Sequence, residues 1–251
     1  MTLRIAIFNH NRNRHAHALA DGFRAFAPVV AIDSGSKLGP GEAEWFDLRL
    51  PNVYYAGLFN AAVGMCDDLA AGDVLYVVYS DVRVADYGRA VAHAERAFHE
   101  PRVGVYGPSA TGTSFPAIRN HGAGGLREVP FVEGFCLASR LELMRGVAPV
   151  DTTVNALGWG LDVHLSWRAR VAGYRPVIDD GIEVQHEFGA GYAHGPALAQ
   201  MKAWLETQSY AARRGHKLLF RSFSQTRLGL WRLRIEPWRL HAAPHAPTWS
   251  A

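Results

Sequence analysis

Asp73-Val74-Leu75-Tyr76-Val77-Val78-Tyr79-Ser80-Asp81 is an apolar run that closes on a hydroxyl and an acid. A run with no polar alternation predicts a strand buried on both faces, as in the centre of a parallel sheet. Leu3-Arg4-Ile5-Ala6-Ile7-Phe8-Asn9 reads as a second buried strand and Val29-Val30-Ala31-Ile32-Asp33 as a shorter third. Between those two, Leu19, Gly22, Phe23 and Phe26 fall at helical spacing, and Pro28 closes the helix. Tyr55, Leu58, Phe59, Ala62, Cys66 and Leu69 share one helical face, which Gly72 is expected to stop. Asp86 is a candidate cap for a helix carrying Tyr87, Ala90, Val91, Ala94, Ala97 and Phe98, and Val103–Gly107 is a further strand. Strands alternating with helices predict an α/β fold.

The second half is less regular. Residues 108–127 are rich in Gly, Ser, Thr and Pro and read as a long loop. Strand character resumes over 129–139, and 140–145 is a short helix. Leu161, Val163, Leu165, Trp167, Ala169 and Val171 alternate with polar residues, which is a strand period. Their helix-favouring composition and Gly173 as a C-cap conflict with that period, and a helix is expected here partly on the resemblance described below.

Composition sets the outer bounds. The chain has 251 residues, room for one large or two small domains, and it is 49% hydrophobic with a net charge of +3. No stretch approaches the roughly 18 apolar residues of a membrane span. Met1–Ile5 runs into a strand with no signal-peptide layout, and Cys66 and Cys136 are too few for a disulfide framework, so a cytoplasmic protein is expected. There is no Gly-X-Gly-X-X-Gly after the first strand and no P-loop lysine motif, which argues against dinucleotide oxidoreductases and NTPases.

Several ordered segments resemble the GT-A glycosyltransferases, particularly the family 2-like group. Val30–Ser36 is similar to the segment whose acid, here Asp33, contacts the nucleotide. Tyr55–Ala62, which holds Asn60, resembles the helix that approaches it. Val77–Val84 sits where that family carries Asp-X-Asp, with Tyr79 in place of the first acid and Asp81 retained. Gly158-Trp159-Gly160-Leu161-Asp162 resembles the acidic motif that supplies the catalytic base of inverting members, with Leu161 replacing its first acid. Val177–His186 resembles the closing strand that ends in a metal-binding histidine.

The resemblance implies a GT-A type fold: a Rossmann-like, mostly parallel central sheet flanked by helices, in a single domain with a C-terminal extension. The domain is expected over 1–212, with a nucleotide-binding half at 1–107 and an acceptor half at 108–212. It further implies metal-dependent transfer from a nucleotide-diphosphate sugar to a glycan or lipid-linked hydroxyl acceptor in cell-surface polysaccharide or glycolipid synthesis. Asp81 and His186 would hold Mn2+ or Mg2+, and Asp162 would be the base. A retaining transferase and an inactive nucleotide-sugar or glycan binder are the alternatives.

Chemistry supports the same residue types. The leaving nucleoside diphosphate is anionic, and a divalent cation held by few protein ligands can neutralise it. The attacking hydroxyl must lose a proton to a base. Asn9, Arg12, Asp33, Asn60 and Ser80 are the expected nucleotide contacts, several of them at strand carboxyl ends, where open α/β sheets bind ligands. Glu133, Gly134, Trp159 and Gly160 are candidates for sugar contacts. Asp33 also reads as a turn former, Glu133 as half of a structural ion pair, and Trp159 as a core residue. His10, His15 and His17 match no standard zinc spacing, and phosphate contact by Arg12 or Arg14 is the simpler reading of that turn. Gly189–Tyr192 is a candidate flap over the diphosphate.

From Arg213 onward the chain is basic, with Trp231 and Trp238 interleaved and Glu236 the one acid. This 213–251 extension reads either as a solvated tail or as a peripheral contact with anionic lipid at the inner membrane face. No motif points to nucleic acid.

Overall fold

The computed structural model describes residues 1–113, 115–187 and 194–221. β1 (Leu3–Asn9), α1 (Asn13–Arg24) and β2 (Val29–Ser34) open the chain as one crossover unit. β3 (Leu48–Leu50), α2 (Tyr54–Gly64) and β4 (Val74–Tyr79) follow. β5 (Val82–Arg83) comes directly after Ser80 and Asp81, and α3 (Tyr87–His99) leads to β6 (Val103–Thr111). Then come β7 (Leu126–Glu128), β8 (Cys136–Arg140), α4 (Leu141–Arg145), α5 (Thr152–Asn155), α6 (Leu161–Val171) and β9 (Arg175–His186). α7 (His194–Thr207) and α8 (Tyr210–Arg221) close the described chain.

One sheet runs β3-β2-β1-β4-β8-β6-β9-β5, with β7 also on β9. β1 pairs in parallel with β2 and β4, and β2 with β3. β8 enters between β4 and β6, antiparallel to both. β9 lies parallel to β6 and carries β7 and β5 antiparallel on its two halves. The carboxyl ends of β1, β2 and β4 therefore lie along one edge and present Asn9, Asp33 and Ser80-Asp81 there. The fold class read from the sequence is the observed one.

The core lies on both sides of β1, β4 and β6. Tyr76 and Tyr106 are its largest fully buried side chains, and the Tyr76 hydroxyl sits 3.2 Å from the Cys136 sulfur. Burial pushes the Cys136 thiol up to about 12. Both cysteines are buried and free. Asp179 and Asp180 in β9 act as struts: Asp179 meets His93 at 2.8 Å and Asp180 meets Arg127 at 3.1 Å.

Four expectations need correction. α2 ends at Gly64, well before Gly72, and side chains take up carbonyls of the turn that follows. Arg4 donates to the Met65 carbonyl, and Arg145 donates to those of Cys66 and Leu69. The segment 108–127 is not one loop: β6 continues to Thr111, and β7 is already formed at Leu126. Strand structure within 129–139 begins only at Cys136. The expected boundary between residues 212 and 213 falls inside α8, whose Ala212, His216 and Leu219 are buried, with α8 packed on α6. Residues 222–251, including Trp231 and Trp238, lie outside the described residues, as does Gly189–Tyr192.

The ambiguous segment is a helix. α6 buries Leu161, Val163, His164, Leu165, Ser166 and Ala169, and it packs against β9, β6, α4 and α8. A helix covered on several sides has no single apolar stripe, so its sequence loses the 3.6-residue period.

α3 tests the reading of local signals. The Asp86 carboxylate accepts from the Arg89 N–H at 2.8 Å, as an N-cap should. Asp86→Ala is expected to cost about 1 kcal/mol in a urea unfolding titration, and no change would mean the cap contributes nothing.

Candidate active site

The site grows from β4 and its short continuation β5. Ser80 extends the parallel ladder, its N–H bonded to the Phe8 carbonyl at 2.9 Å. The chain then turns at Asp81 and pairs backwards on β9, with Val82 opposite His186 and Arg83 opposite Gln185. The Glu187 N–H donates to the Asp81 carbonyl at 2.9 Å and closes the pairing. Two residues far apart in sequence thus meet: Asp81 Oδ2 lies 3.6 Å from His186 Nε2.

The His186 ring is held on two sides. It stacks on Phe135 with centroids 4.2 Å apart, and its Nδ1 lies 3.0 Å from the Gly112 carbonyl. A carbonyl only accepts, so Nδ1 carries the proton, and in the neutral ring Nε2 faces Asp81 with a lone pair. Two acceptors facing each other need a positive charge between them. Burial disfavours the charged imidazole, yet Asp81 and the Gly112 carbonyl outweigh it and raise the His186 pKa above its ordinary value. The other Asp81 oxygen, Oδ1, is buried and has no hydrogen-bond partner among the described residues. Gly112 is required here: its φ is +71°, and a Cβ would stand 1.8 Å from the His186 carbonyl oxygen.

These features fit a bound cation. Asp81 offers a hard oxygen and His186 a nitrogen oriented by its backbone contact, the usual way a ligating histidine is fixed. Among the described residues there is no group of three or more His, Cys, Asp or Glu that could hold a metal ion. Among the described residues the pair would thus supply two protein ligands, leaving other positions open. His10, His15 and His17 do not converge: they turn to the Ser34 carbonyl, the Val82 carbonyl and Asp21.

Two further acids, Asp162 and Glu133, lie near the Asp81–His186 pair. Asp162 stands in the first turn of α6, where the helix dipole favours a carboxylate. It accepts from the Gly134 N–H at 3.2 Å and the Val163 N–H at 2.8 Å. Burial dominates these bonds and raises its pKa to about 6. Glu133 accepts from the Thr113 hydroxyl at 2.7 Å, and burial, helped by the negative Asp162 and Asp81, raises it to about 7. No described ion pair satisfies Glu133, so its reading as half of a salt bridge is corrected: its partner is a hydroxyl. Gly160 caps α6 at φ +81°, and a Cβ there would press on His216 Nε2 at 2.8 Å. Trp159 is half-buried against the core, its ring 5.3 Å from that of His194.

The expected nucleotide contacts divide. Asn9, Asp33 and Ser36 form a buried knot that ties β1 to β2: Asn9 Nδ2 donates to Asp33 at 2.9 Å and to Ser36 at 3.0 Å, and the Ser36 hydroxyl donates to Asp33. Both Asp33 oxygens are engaged and the residue is 0% exposed, so the turn-forming reading describes it. The Asn60 amide exchanges bonds of 2.9 and 2.8 Å with the Val150 backbone, which pins α2 to the segment before α5. Arg12 does reach the site, where it meets Glu187 at 2.5 Å.

The two missing acids have physical replacements. Tyr79 packs against Phe8 and Tyr55, with centroids 5.9 and 5.3 Å away, and Leu161 is buried in the core. Gly112, Thr113, Arg83 and Glu187 were not singled out from the sequence. Arg83 and Glu187 stand close to Asp81 and His186 in the chain, which was the available signal. Gly112 and Thr113 lie in the Gly-, Ser-, Thr- and Pro-rich stretch 108–127, whose composition is their one local signal.

Neither the protein-family models nor the curated proteins yield a sequence match. Solved structures do match in fold. Mannosyltransferase PcManGT from Pyrobaculum calidifontis, in complex with GDP-Man and Mn2+, aligns at TM-score 0.59 and 17% identity, over 96% of this chain and 70% of its own. GalNAc-T7 with UDP, GalNAc and Mn2+ aligns at 0.59 and 12% identity, over 97% of this chain, which spans 56% of its length. Glucosyl-3-phosphoglycerate synthase from Mycobacterium tuberculosis, in complex with Mn2+, UDP and glucosyl-3-phosphoglycerate, aligns at 0.52 and 11%, over 86% and 79%. The chain has the GT-A fold.

Glu133 makes stability depend on pH. Its folded pKa of about 7 lies above the ordinary 4.5. The folded state therefore binds more protons than the unfolded one between these values, and stability falls as pH rises through the window. The penalty above pH 7 is up to about 3 kcal/mol. Glu133→Gln should abolish that share of the decline in urea titrations between pH 4.5 and 8, and parallel profiles for the two proteins would refute the assignment.

Proposed function

With the GT-A fold as premise, we propose that this chain is a glycosyltransferase that moves a sugar from a nucleoside-diphosphate donor to a hydroxyl acceptor. Asp81 and His186 would hold Mn2+ or Mg2+. The observation that carries this is the pair itself: an unpartnered buried carboxylate oxygen on Asp81 and an imidazole nitrogen that faces its other oxygen. The solved structures of similar fold contain Mn2+ together with UDP or GDP-Man, which supports the reading. The cation would offset the charge that develops on the departing nucleoside diphosphate.

Asp162 is the base in this reading. Backbone N–H groups of Gly134 and Val163 fix its carboxylate without neutralising it. Its pKa of about 6 leaves it ionised at neutral pH and still basic enough to take a proton from the acceptor hydroxyl. Glu133, at about 7, is close to half-protonated there and can donate a hydrogen bond to a sugar hydroxyl or accept one. With one base and no second nucleophile assigned, inversion at the anomeric carbon is the simplest stereochemistry. Product anomer analysis distinguishes it from retention.

A glycan or lipid-linked acceptor, in polysaccharide or glycolipid synthesis at the inner membrane face, is the finer reading. Its support is the basic, tryptophan-containing sequence from Arg213 onward. No helix of the described residues is long and apolar enough to cross a membrane. Tyr79 and Leu161 favour a second reading, a nucleotide-sugar binder without turnover.

Transfer or donor hydrolysis with Mn2+ present separates the readings. Asp162→Asn and Asp81→Ala are each expected to lose roughly 10²–10⁴ in kcat/KM. In the wild type, kcat/KM should rise with pH through about 6 as Asp162 ionises. Undiminished turnover in both variants would remove the assignment, and tight donor binding without turnover would favour the binder.

A further inference from the structure

Glu187, next to His186, bridges two arginines from different elements. Arg12, at the N-cap of α1, donates to its Oε2 at 2.5 Å. Arg83, on β5, donates Nε and Nη2 to its Oε1 at 3.1 and 2.8 Å. The elements are drawn together by His15 in α1, whose Nε2 meets the Val82 carbonyl at 2.9 Å. The first turn of α1 contains no acid, so its dipole adds to the positive potential.

Two features make this more than a surface ion pair. The first is place. The Glu187 N–H is bonded to the Asp81 carbonyl, so the arginines stand beside the residue proposed to hold the cation. The second is exchangeability. The side chains of Arg12, Glu187 and Arg83 are 31%, 33% and 59% exposed, and ion pairs this wet contribute little net stability. A diphosphate carries more charge and more acceptor oxygens than one carboxylate, and guanidinium groups bind phosphate oxygens through paired N–H donors.

We propose that Arg12 and Arg83 form an anion seat for the donor's diphosphate, and that Glu187 fills it in this structure as an internal competitor which the diphosphate displaces. The inference rests on the nucleoside-diphosphate reading of the site. It assigns Arg83 a binding role and makes Glu187 a residue that weakens donor affinity.

Calorimetric titration of the full chain with inorganic pyrophosphate, and with UDP and GDP, each with Mg2+ present, tests it. Glu187→Gln should bind pyrophosphate and at least one of the nucleotides roughly tenfold more tightly than wild type, and Arg83→Gln should bind them roughly tenfold more weakly. The double variant should lose the gain of the first. Unchanged or weaker pyrophosphate binding in a folded Glu187→Gln protein would overturn the proposal, and so would unchanged binding in Arg83→Gln. If Glu187→Gln does not fold, the Arg83→Gln titration decides alone. Pyrophosphate binding needs no turnover, so the outcomes separate. Shifts as expected in a chain without transferase activity would keep the seat and sink the enzyme reading. An active transferase with unaltered pyrophosphate binding would do the reverse.

Discussion

The short antiparallel pairing of β5 on β9 is the constraint on which the site depends. It sets Val82 against His186 and Arg83 against Gln185, and so fixes the residues on either side. Asp81 faces His186 because of it, and Glu187 reaches Arg83 because of it. The pairing is itself held from outside. Gly112, in a conformation that glycine tolerates best, lets the end of β6 lie against His186 and gives its carbonyl to the ring.

Electrostatics around this pairing has two regimes. Asp81, Asp162 and Glu133 gather where the protein shields them from water, and burial lifts the last two toward neutral pH. Their negative potential favours a cation near Asp81 and His186. Glu187 lies at the wetter edge, where two arginines hold its pKa down to about 2. One side of the site is thus suited to a metal ion and the other to an anion. A metal-bound diphosphate presents both needs at once.

Legibility in the sequence followed the range of the interactions involved. Strands β1, β2 and β4 were readable because each is mostly buried and carries an apolar run, interrupted in β1 only by Arg4. The Asp86 cap was readable because it acts within one turn. The end of α2 was not, because Arg4 and Arg145, distant in sequence, stabilise the break at Gly64. α6 was ambiguous because packing on several sides erased its period. The bond of Asn60 to the Val150 backbone is not legible locally, because the two lie ninety residues apart.

The sequence by itself determined the alternation of strand and helix, and with it a sheet whose strand ends carry Asn9, Asp33 and Asp81, since burial and turn chemistry are local properties of the chain. Its ordered motifs also indicated which acids and which histidine to examine. Only the tertiary structure decided which of these share a space. The β1–β2 pairing that buries Asp33 against Asn9 and Ser36, and the backward turn of β5 that sets Asp81 Oδ2 opposite His186 and leaves Oδ1 without a partner among the described residues, are long-range choices.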